Sequence, residues 1–493
     1  EVTSYAEFHQ RALDIAGNLA LAGLTPGDRV AFCLSNSPRI LEVIYACFAG
    51  GYVVVPVNAR LHVKEVQYIV ENSGARILFH SPELCVNYDA LGSDDTTRPK
   101  RVVIQKNYTD NTALDMYAPG HALGAAADLE ADAPAWLFYT SGTTGKPKGA
   151  LWNHRIIRVV IMNYLADLHN IQPGERVAHC APLSHGSGII ALPAVARGAV
   201  NVIYENDSFV PRDLFGLVQR HNVSHIAFMA PTQIIKCLDE FDESYDLSSL
   251  TAVCYGGAPI HLKHLKAALD TFGPVFIQLY GQGEAPITIS GMSALDHQHF
   301  YSTGDPRLGS AGKIRTDVDV AIFDTQREKL PVDTLGEIAV RGDVVMAGYW
   351  ENSAATESAM YGDWLLTGDI GMIDESGYLF LMDRSKDVII TGGNNVYPRE
   401  VEEVIVQHPS VASVIVVGVP DDYWGEAVRA VVQLNDGAKC DANGIIDFCS
   451  EYLAGYKKPK AVDFVTEFPV SGYGKILRRE IRDRYWNARE PGV

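Results

Sequence analysis

The chain has 493 residues, which is too long for one hydrophobic core and predicts at least two domains. Its 60 acidic residues outnumber its 41 basic residues and give a formal net charge of −19, which argues against a nucleic-acid-binding surface. The sequence has no run of about twenty apolar residues and no Cys-x-x-Cys pair among its eight cysteines, so it predicts a cytoplasmic protein with reduced thiols and no transmembrane segment.

The first eighty residues alternate between helix and strand patterns. Ser4 and Glu7 form a capping-box pattern ahead of a helix, and the apolar run at 29–34 predicts the first strand. A helix from Ser37, a strand at 52–57 and a further helix and strand at 63–79 repeat the unit. Such unbroken apolar strands are typical of a parallel sheet covered on both faces. Residues 87–132 are predicted as surface loops with one strand at 101–104.

The string YTSGTTGKPKG at 139–149 follows the apolar residues 135–138 and indicates a buried strand that runs into a loop. Its glycines allow close backbone approach, and its hydroxyls, backbone amides and two lysines suit a polyphosphate. The loop differs from the common phosphate loop of nucleoside triphosphatases, because Lys146 is followed by proline rather than by Ser or Thr. The composition alone leaves a polar surface loop as an equal alternative.

Several later strands also end in glycine-rich loops, where open α/β sheets bind ligands. One such loop carries His185, and others end the strands predicted at 223–229, 251–255 and 275–280. Glu284 follows the last of them and Asp369 follows a Thr-Gly turn. Taken singly, these side chains are more often a turn histidine and solvated surface charges.

The C-terminal hundred residues predict a compact α+β unit, with a helix at 399–407, strands at 411–419 and 427–434, and a helix at 444–453. Before it lies a charged stretch at 383–387, followed by an apolar strand and the string TGGNNVYP at 391–398. Near the end, Lys475 follows a glycine loop and precedes a basic helix. A mobile loop of this kind can move a lysine onto a developing charge, and an ordinary surface lysine is the alternative.

These strings, in this order, resemble the adenylate-forming superfamily of acyl- and aryl-CoA synthetases, luciferase and peptide-synthetase adenylation domains. The resemblance covers nearly the whole chain. It implies an α/β fold with a large N-terminal domain of parallel-rich sheets packed with helices, at 1–383, and a small mobile α+β C-terminal domain at 384–493, with a hinge near Lys386. It also implies an AMP-forming acid–thiol ligase that uses ATP, Mg²⁺ and CoA.

The resemblance assigns roles residue by residue. Lys475, Glu284 and Thr143 are implied as catalytic residues, with Glu284 also holding magnesium. ATP or CoA contacts are implied for Thr140, Ser141, Gly142, Thr144, Gly145, Lys148, Gly256, Gly257, Ala258, Tyr280, Gly281, Gln282, Asp369 as the ribose ligand, Arg384, Lys386, Gly392 and Gly393. The acid is expected to contact His185, Gly188, Phe228, Met229, Gly257 and Pro286, a mixture of small and aromatic residues that favours a medium-chain or aromatic acid.

One departure stands out. The family string is Tyr-Gly-x-Thr-Glu, and this chain has Gly283 where that string has threonine. The hydroxyl expected near the α-phosphate is therefore missing, and Thr143, Thr144 or a water is the expected substitute. CoA is the favoured acceptor, because 391–398 looks like the CoA-ligase branch. Alternatives are a stand-alone ligase that loads a carrier protein and a non-catalytic nucleotide-binding protein. The small-molecule acid is the expected partner, no nucleic acid is expected, and a homodimer is left open.

Overall fold

The computed structural model describes residues 2–82, 84, 99–104, 115–140, 146–206, 208–471 and 475–487. They form four sheets. Among these residues, no helix combines the length and the apolar character needed to cross a bilayer.

The first sheet has six strands in the order β4-β3-β1-β2-β5-β6, parallel except for the antiparallel pair β5–β6. Its strands are β1 (Arg29–Leu34), β2 (Val53–Asn58), β3 (Ile77–His80), β4 (Lys100–Val103), β5 (Pro134–Thr140) and β6 (Lys148–Asn153). The helices of this part are α1 (Tyr5–Leu21), α2 (Pro38–Gly50), α3 (Val63–Ser73) and α4 (His154–Asp167). Because a capping box at Ser4 and Glu7 satisfies its first backbone amides, α1 begins where the sequence predicts.

The second sheet has seven strands in the order β13-β12-β11-β10-β9-β7-β8, with a parallel centre and two antiparallel strands at one edge. Its strands are β7 (Arg176–His179), β8 (Val200–Ile203), β9 (His225–Met229), β10 (Ala252–Gly256), β11 (Phe276–Gln282), β12 (Ala285–Met292) and β13 (Lys313–Ile314). Its helices are α5 (Gly186–Ala196), α6 (Pro211–His221), α7 (Pro231–Glu240), α8 (Leu262–Phe272) and α9 (Ala294–Thr303).

The third sheet is antiparallel and packs on the same hydrophobic core as the first. Its strands are β14 (Asp319–Phe323), β15 (Gly336–Arg341), β16 (Met360–Tyr361), β17 (Trp364–Ile373) and β18 (Leu379–Arg384), with the short helix α10 (Ser353–Ala359) beside them. Residues 385–387 then form a single 3₁₀ turn that leads into the last sheet.

The fourth sheet belongs to the C-terminal part and has a hydrophobic core of its own. Its strands are β19 (Ile389–Thr391), β20 (Asn394–Val396), β21 (Val411–Asp421), β22 (Gly425–Leu434) and β23 (Ala461–Val465), covered by helices α11 (Pro398–Ile405), α12 (Ala442–Tyr452) and α13 (Arg478–Asn487). The predicted α/β class, with parallel-rich sheets followed by an α+β unit, is confirmed.

Most predicted elements appear within two residues of their expected bounds; strand 29–34 and helix 63–73 agree at both ends. Several strands are not predicted by the sequence, among them the antiparallel strands β6 and β12. Each of these two directly follows one of the phosphate-loop or glutamate strings, whose small and polar residues hide the strand pattern. The sequence also predicts a short turn-bounded strand at 346–350, and this is wrong: these residues form an irregular turn held by backbone hydrogen bonds to β6 and to Glu284.

Candidate active site

A cleft forms where the carboxyl ends of β9, β10 and β11 approach the ends of β5 and β18 and the middle of β17. Parallel strands end at the same edge, so the loops that follow them converge there. This is where most of the predicted site residues meet, and the following clusters make up the site.

Asp369 is the centre of the first cluster. Its buried carboxylate accepts hydrogen bonds from the hydroxyl of Tyr280 at 2.7 Å and from Nε2 of Gln282 at 3.3 Å, and it forms an ion pair with Nε of Arg384 at 2.9 Å. The Asp369 charge raises the pKa of Arg384, whereas burial, followed by that same charge, raises the pKa of Tyr280 well above its usual range. A carboxylate presented this way suits the two hydroxyls of a ribose.

Glu284 is the centre of the second cluster. Its Oε1 accepts hydrogen bonds from the hydroxyl of Thr140 at 3.2 Å and from the hydroxyl of Tyr349 at 2.6 Å. The ammonium group of Lys148 lies 5.1 Å from the centre of the Tyr349 ring. Glu284 is 8% exposed, so it is a positioned carboxylate and not a solvated surface charge. Its hard oxygens are of the kind that Mg²⁺ prefers.

Gly283 has no room for a side chain. A Cβ built there would lie 2.3 Å from the Thr140 methyl group and 2.8 Å from the Phe138 ring. Thr140 therefore occupies the space that a threonine at 283 would need, and its hydroxyl already contacts Glu284. The Gly283 carbonyl accepts a 2.7 Å hydrogen bond from Nε1 of Trp152, which holds this turn against β6.

Four rings form a column from the core to the cleft. Trp136 stacks on Trp152 at 5.6 Å, Trp152 on Phe138 at 5.0 Å, and Phe138 on His185 at 4.9 Å between centroids. Burial, reinforced by the charge of Lys475, lowers the pKa of His185 to about 4. His185 is therefore a neutral ring at neutral pH.

Lys475 reaches this cleft from the C-terminal part. The residue as a whole is exposed, but the protein around its ammonium group removes water from it, and this desolvation together with the charge of Arg384 lowers the pKa of Lys475 to about 8. Asp369 and Asp387 oppose the shift. The backbone of Lys475 is held by hydrogen bonds with Ser471.

The candidate acid-binding residues form the other wall. Phe228 is half-buried, and its ring lies 3.1 Å from a Cβ built at Gly186 and 3.5 Å from one built at Gly257. Gly257 and Ala258 follow β10 with exposed or half-exposed backbone, as a base-stacking surface requires, while Gly256 is buried.

Some predicted residues are placed elsewhere. Met229 is buried in the hydrophobic core between α6, α7 and β10, Gly188 is packed with its Cα against the carbonyl of Leu183, and Pro286 is buried at the start of β12. Their contact with the acid stays a prediction. Residues 141–145, and with them Ser141, Gly142, Thr143, Thr144 and Gly145, lie outside the described residues.

The predicted hinge region joins the two parts through several contacts. Asp383 accepts hydrogen bonds from the backbone amides of Arg384 at 2.9 Å and Arg399 at 3.0 Å, the second at the start of α11. Lys386 lies in the 3₁₀ turn, and its carbonyl accepts from Arg482 at 3.0 Å. Gly392 and Gly393 form the exposed turn between β19 and β20, with Gly392 against the Trp424 ring.

Sequence reasoning missed Tyr349 and Trp152 as supports of the site. Both are aromatic residues in stretches without a chemical pattern of their own, and only the fold brings them to residues 65 and 131 positions away. The predicted Gly281 proves to have a structural role, since a Cβ there would lie 2.4 Å from the backbone nitrogen of Ile287.

Comparison with known families gives two matches that cover most of the chain. The model described as AMP-binding enzyme matches residues 1–350, and the model described as AMP-binding enzyme C-terminal domain matches residues 400–475.

Comparison with individual proteins gives relatives of nearly full length. The chain is 36% identical to a feruloyl-CoA synthase of Amycolatopsis sp, over 98% of this chain and 94% of that protein. It is 33% identical to a medium/long-chain-fatty-acid–CoA ligase of Mycobacterium tuberculosis, over 94% and 82% respectively. Among solved structures, an amide bond synthetase of Marinactinospora thermotolerans is similar with a TM-score of 0.88 and 29% identity, covering 98% of this chain and 95% of the other.

Proposed function

The chain belongs to the family of AMP-binding enzymes, and from this premise we propose that it activates an aromatic carboxylic acid of the hydroxycinnamate type for transfer to CoA. In its general form the reaction is that of an AMP-forming acid–CoA ligase. ATP converts the acid into an acyl-adenylate with release of pyrophosphate, and the thiol of CoA then displaces AMP. The large part at 1–383 carries the binding sites, and the part at 384–493 acts as a mobile lid.

Activation is needed because a carboxylate is a poor electrophile. Its oxygen attacks the α-phosphorus of ATP, and negative charge develops on the phosphate oxygens as pyrophosphate leaves. Lys475 stands beside Asp369 and Arg384, where its ammonium group stabilises that charge. A positioned donor of this kind contributes about 3 kcal/mol to lowering the barrier.

Binding of the nucleotide uses the clusters around Asp369 and Glu284. Asp369 accepts the ribose hydroxyls, with Arg384 beside it, and the base lies against Gly257 and Ala258. Lys148 and residues 141–145 contact the β- and γ-phosphates. Glu284 would hold Mg²⁺, which when bound offsets charge on the phosphates. Thr140 orients the Glu284 carboxylate and supplies the hydroxyl that Gly283 lacks.

The second half-reaction needs CoA where Lys475 stands during the first. We propose that the lid rotates about Lys386 after the adenylate forms, which brings the turn at Gly392 and Gly393 to the thiol channel. A hinge needs only a few residues that absorb the change in backbone dihedral angles. The single 3₁₀ turn at 385–387, between two separate sheets, supports this position.

The observation that carries the choice of acid is the uncharged wall of the cleft. The half-buried Phe228 ring lies over Gly186 and Gly257, and His185 is neutral because its pKa is about 4. A flat aromatic acid fits between such surfaces. The feruloyl-CoA synthase, 36% identical to this chain, is a relative whose name states an acid of this type.

The test is a panel of acids assayed for pyrophosphate release and CoA thioester formation. Ferulate and related hydroxycinnamates should give the highest kcat/KM, medium-chain fatty acids lower values, and malonate and 2-succinylbenzoate the lowest. A fatty acid preferred at least tenfold over every aromatic acid would contradict the proposal. Replacing CoA with a carrier protein or an amine in the same assay checks the acceptor, and CoA should be required.

Two broader expectations accompany this assignment. The cysteines of the described residues are free thiols, six of them buried, which supports a cytoplasmic location. A homodimer stays a prediction, for which light scattering of the purified protein is the direct measurement.

A further inference from the structure

A second cluster, of potential metal ligands, lies in the second sheet at the end of the strands opposite to the cleft. Within the described part of the chain, His169, Glu175 and His225 each present one ligand atom, and these atoms all lie within 4.8 Å of one another. His169 lies just after α4, Glu175 directly precedes β7, and His225 begins β9.

This cluster is separate from the catalytic cleft. Strands β7 and β9 are parallel, so Glu175 and His225 lie at the edge where the strands begin, while the cleft is built where they end. At about 3.3 Å per residue, the five residues of β9 separate the two sites by roughly 13 Å. The cleft therefore does not account for the cluster.

The orientation of His225 is the second observation. The ring is fully buried, and its Nε2 faces the hydroxyl of Tyr164 at 2.9 Å and Sγ of Cys254 at 3.3 Å. Its Nδ1 is buried and has no hydrogen-bond partner. Because burial disfavours the charged imidazole, one ring nitrogen carries the proton and the other a lone pair.

The surroundings indicate which nitrogen is which. The Tyr164 hydroxyl lies 2.9 Å from Cys254 Sγ and can donate to it, which leaves the phenolic oxygen to accept from Nε2–H of His225. Nδ1 then carries the lone pair. Histidines that ligate metals usually donate their other ring N–H in this way, which fixes both tautomer and orientation.

His169 and Glu175 complete the set. Nε2 of His169 lies 3.0 Å from Oε2 of Glu175, and the two imidazole rings are 4.9 Å apart between centroids. Both side chains are 20% exposed, so an ion could enter from solvent. In a tetrahedral site with bonds of 2.0–2.1 Å the donors lie roughly 3.3 Å apart. His169 and Glu175 lie in turns, so they can close this gap.

We propose that His169, Glu175 and His225 bind a divalent first-row transition-metal ion, with Zn²⁺ as the preferred ion. Two imidazoles and one carboxylate leave the fourth position of a tetrahedral site to water. The ion would take the place of the hydrogen bond between His169 and Glu175. It would link the turn after α4 and the turn before β7 to the start of β9. This link would stabilise the sheet that carries the catalytic loops.

The test uses the full chain, stripped with a chelator and assayed without nucleotide. Titration with ZnCl₂ should show one tight equivalent by calorimetry and raise Tm by roughly 3–6 °C at saturation. CoCl₂ should give the visible absorption of a tetrahedral cobalt site. His169→Ala and Glu175→Gln should each weaken binding of either ion at least ~100-fold.

The two variants alter partly exposed turn residues, so they leave the buried His225 in place and keep the fold. His299→Ala, which removes an exposed histidine of α9, is the matched control and should bind as the parent does. Equal affinity in the parent and both ligand variants, absence of the tight equivalent, or an octahedral cobalt spectrum would overturn the proposal.

Discussion

At the scale of single residues, the site depends on side chains whose pKa values are set by their neighbours. The pKa of Lys475 is affected by two guanidinium groups, Arg384 and Arg478, which lower it, and by two carboxylates, Asp369 and Asp387, which raise it. The sequence predicts that a lysine stands at the end of a glycine loop. It cannot predict that the ammonium group is desolvated, because the residues that cover it are distant in the chain.

The pH dependence of adenylation follows from the pKa of Lys475, which is about 8 in the free protein. The group is positive below this pH and loses its charge as the pH rises through it, so kcat/KM for pyrophosphate release should fall above about pH 8. Thioester formation from supplied acyl-adenylate should lack this alkaline limb. Lys475→Arg, whose guanidinium stays charged, should move the limb upward. The same limb in both half-reactions would contradict this role.

Thr140 should matter through its hydroxyl rather than its bulk. Thr140→Val keeps the methyl group against Gly283 but removes the hydrogen bond to Glu284, so it should lower kcat/KM for adenylation by ~10–100-fold. Thr140→Ser keeps the hydroxyl and should stay within a few-fold of the parent. Steady-state rates over a range of Mg²⁺ concentrations are the measurement, and similar losses in the two variants would argue against the hydroxyl.

At the scale of elements, the hairpin of β11 and β12 organises the cleft. It carries Tyr280, Gln282 and Glu284, and its register shifts between Tyr280 and Gln282. Ile287 has φ of +48°, which a β-branched residue rarely adopts. The sequence predicts β11 and the loop residues. It does not predict β12, since the register shift and the unusual Ile287 backbone interrupt the strand pattern just after the glutamate.

Gly281 should tolerate no side chain. A Cβ there meets backbone atoms of Ile287 and Ala285, at 2.4 and 2.7 Å, and backbone cannot move aside as a side-chain end can. Gly281→Ala should therefore cost about 1–3 kcal/mol of unfolding free energy and reduce adenylation more than tenfold. Thermal unfolding and pyrophosphate release are the two measurements. Gly124→Ala, at an exposed glycine with open space around it, is the control and should change neither.

At the scale of the whole molecule, the C-terminal part, which we propose as the lid, is docked with Lys475 toward the cleft. Nζ of Lys263, on α8, donates to the carbonyls of Val406 and Val411 in the lid, both at 3.0 Å, and His261 pairs with Glu403 at 3.1 Å. The sequence predicts the two-part architecture, because each part has its own pattern of strands and helices. The sequence does not predict the contacts between the two parts, since they involve backbone carbonyls and ordinary surface residues.

Lys263→Ala should weaken this docked arrangement selectively. Loss of two hydrogen bonds from a charged donor removes about 1–2 kcal/mol from docking, so the adenylation rate should fall by ~3–10-fold. Thioester formation from supplied acyl-adenylate should be unchanged. Lys266→Ala, an exposed lysine on the same helix, provides the comparison. If both half-reactions slowed equally, the contact would serve general stability instead.

The column of rings at 136, 152, 138 and 185 gives the molecule a built-in optical reporter. The indoles of Trp136 and Trp152 stack in this column, and Nε1 of Trp152 donates a hydrogen bond to the carbonyl of Gly283, next to Glu284. Arrival of a nucleotide therefore changes the surroundings of a fluorophore that is already present. Emission spectra can follow occupancy in real time without an added label.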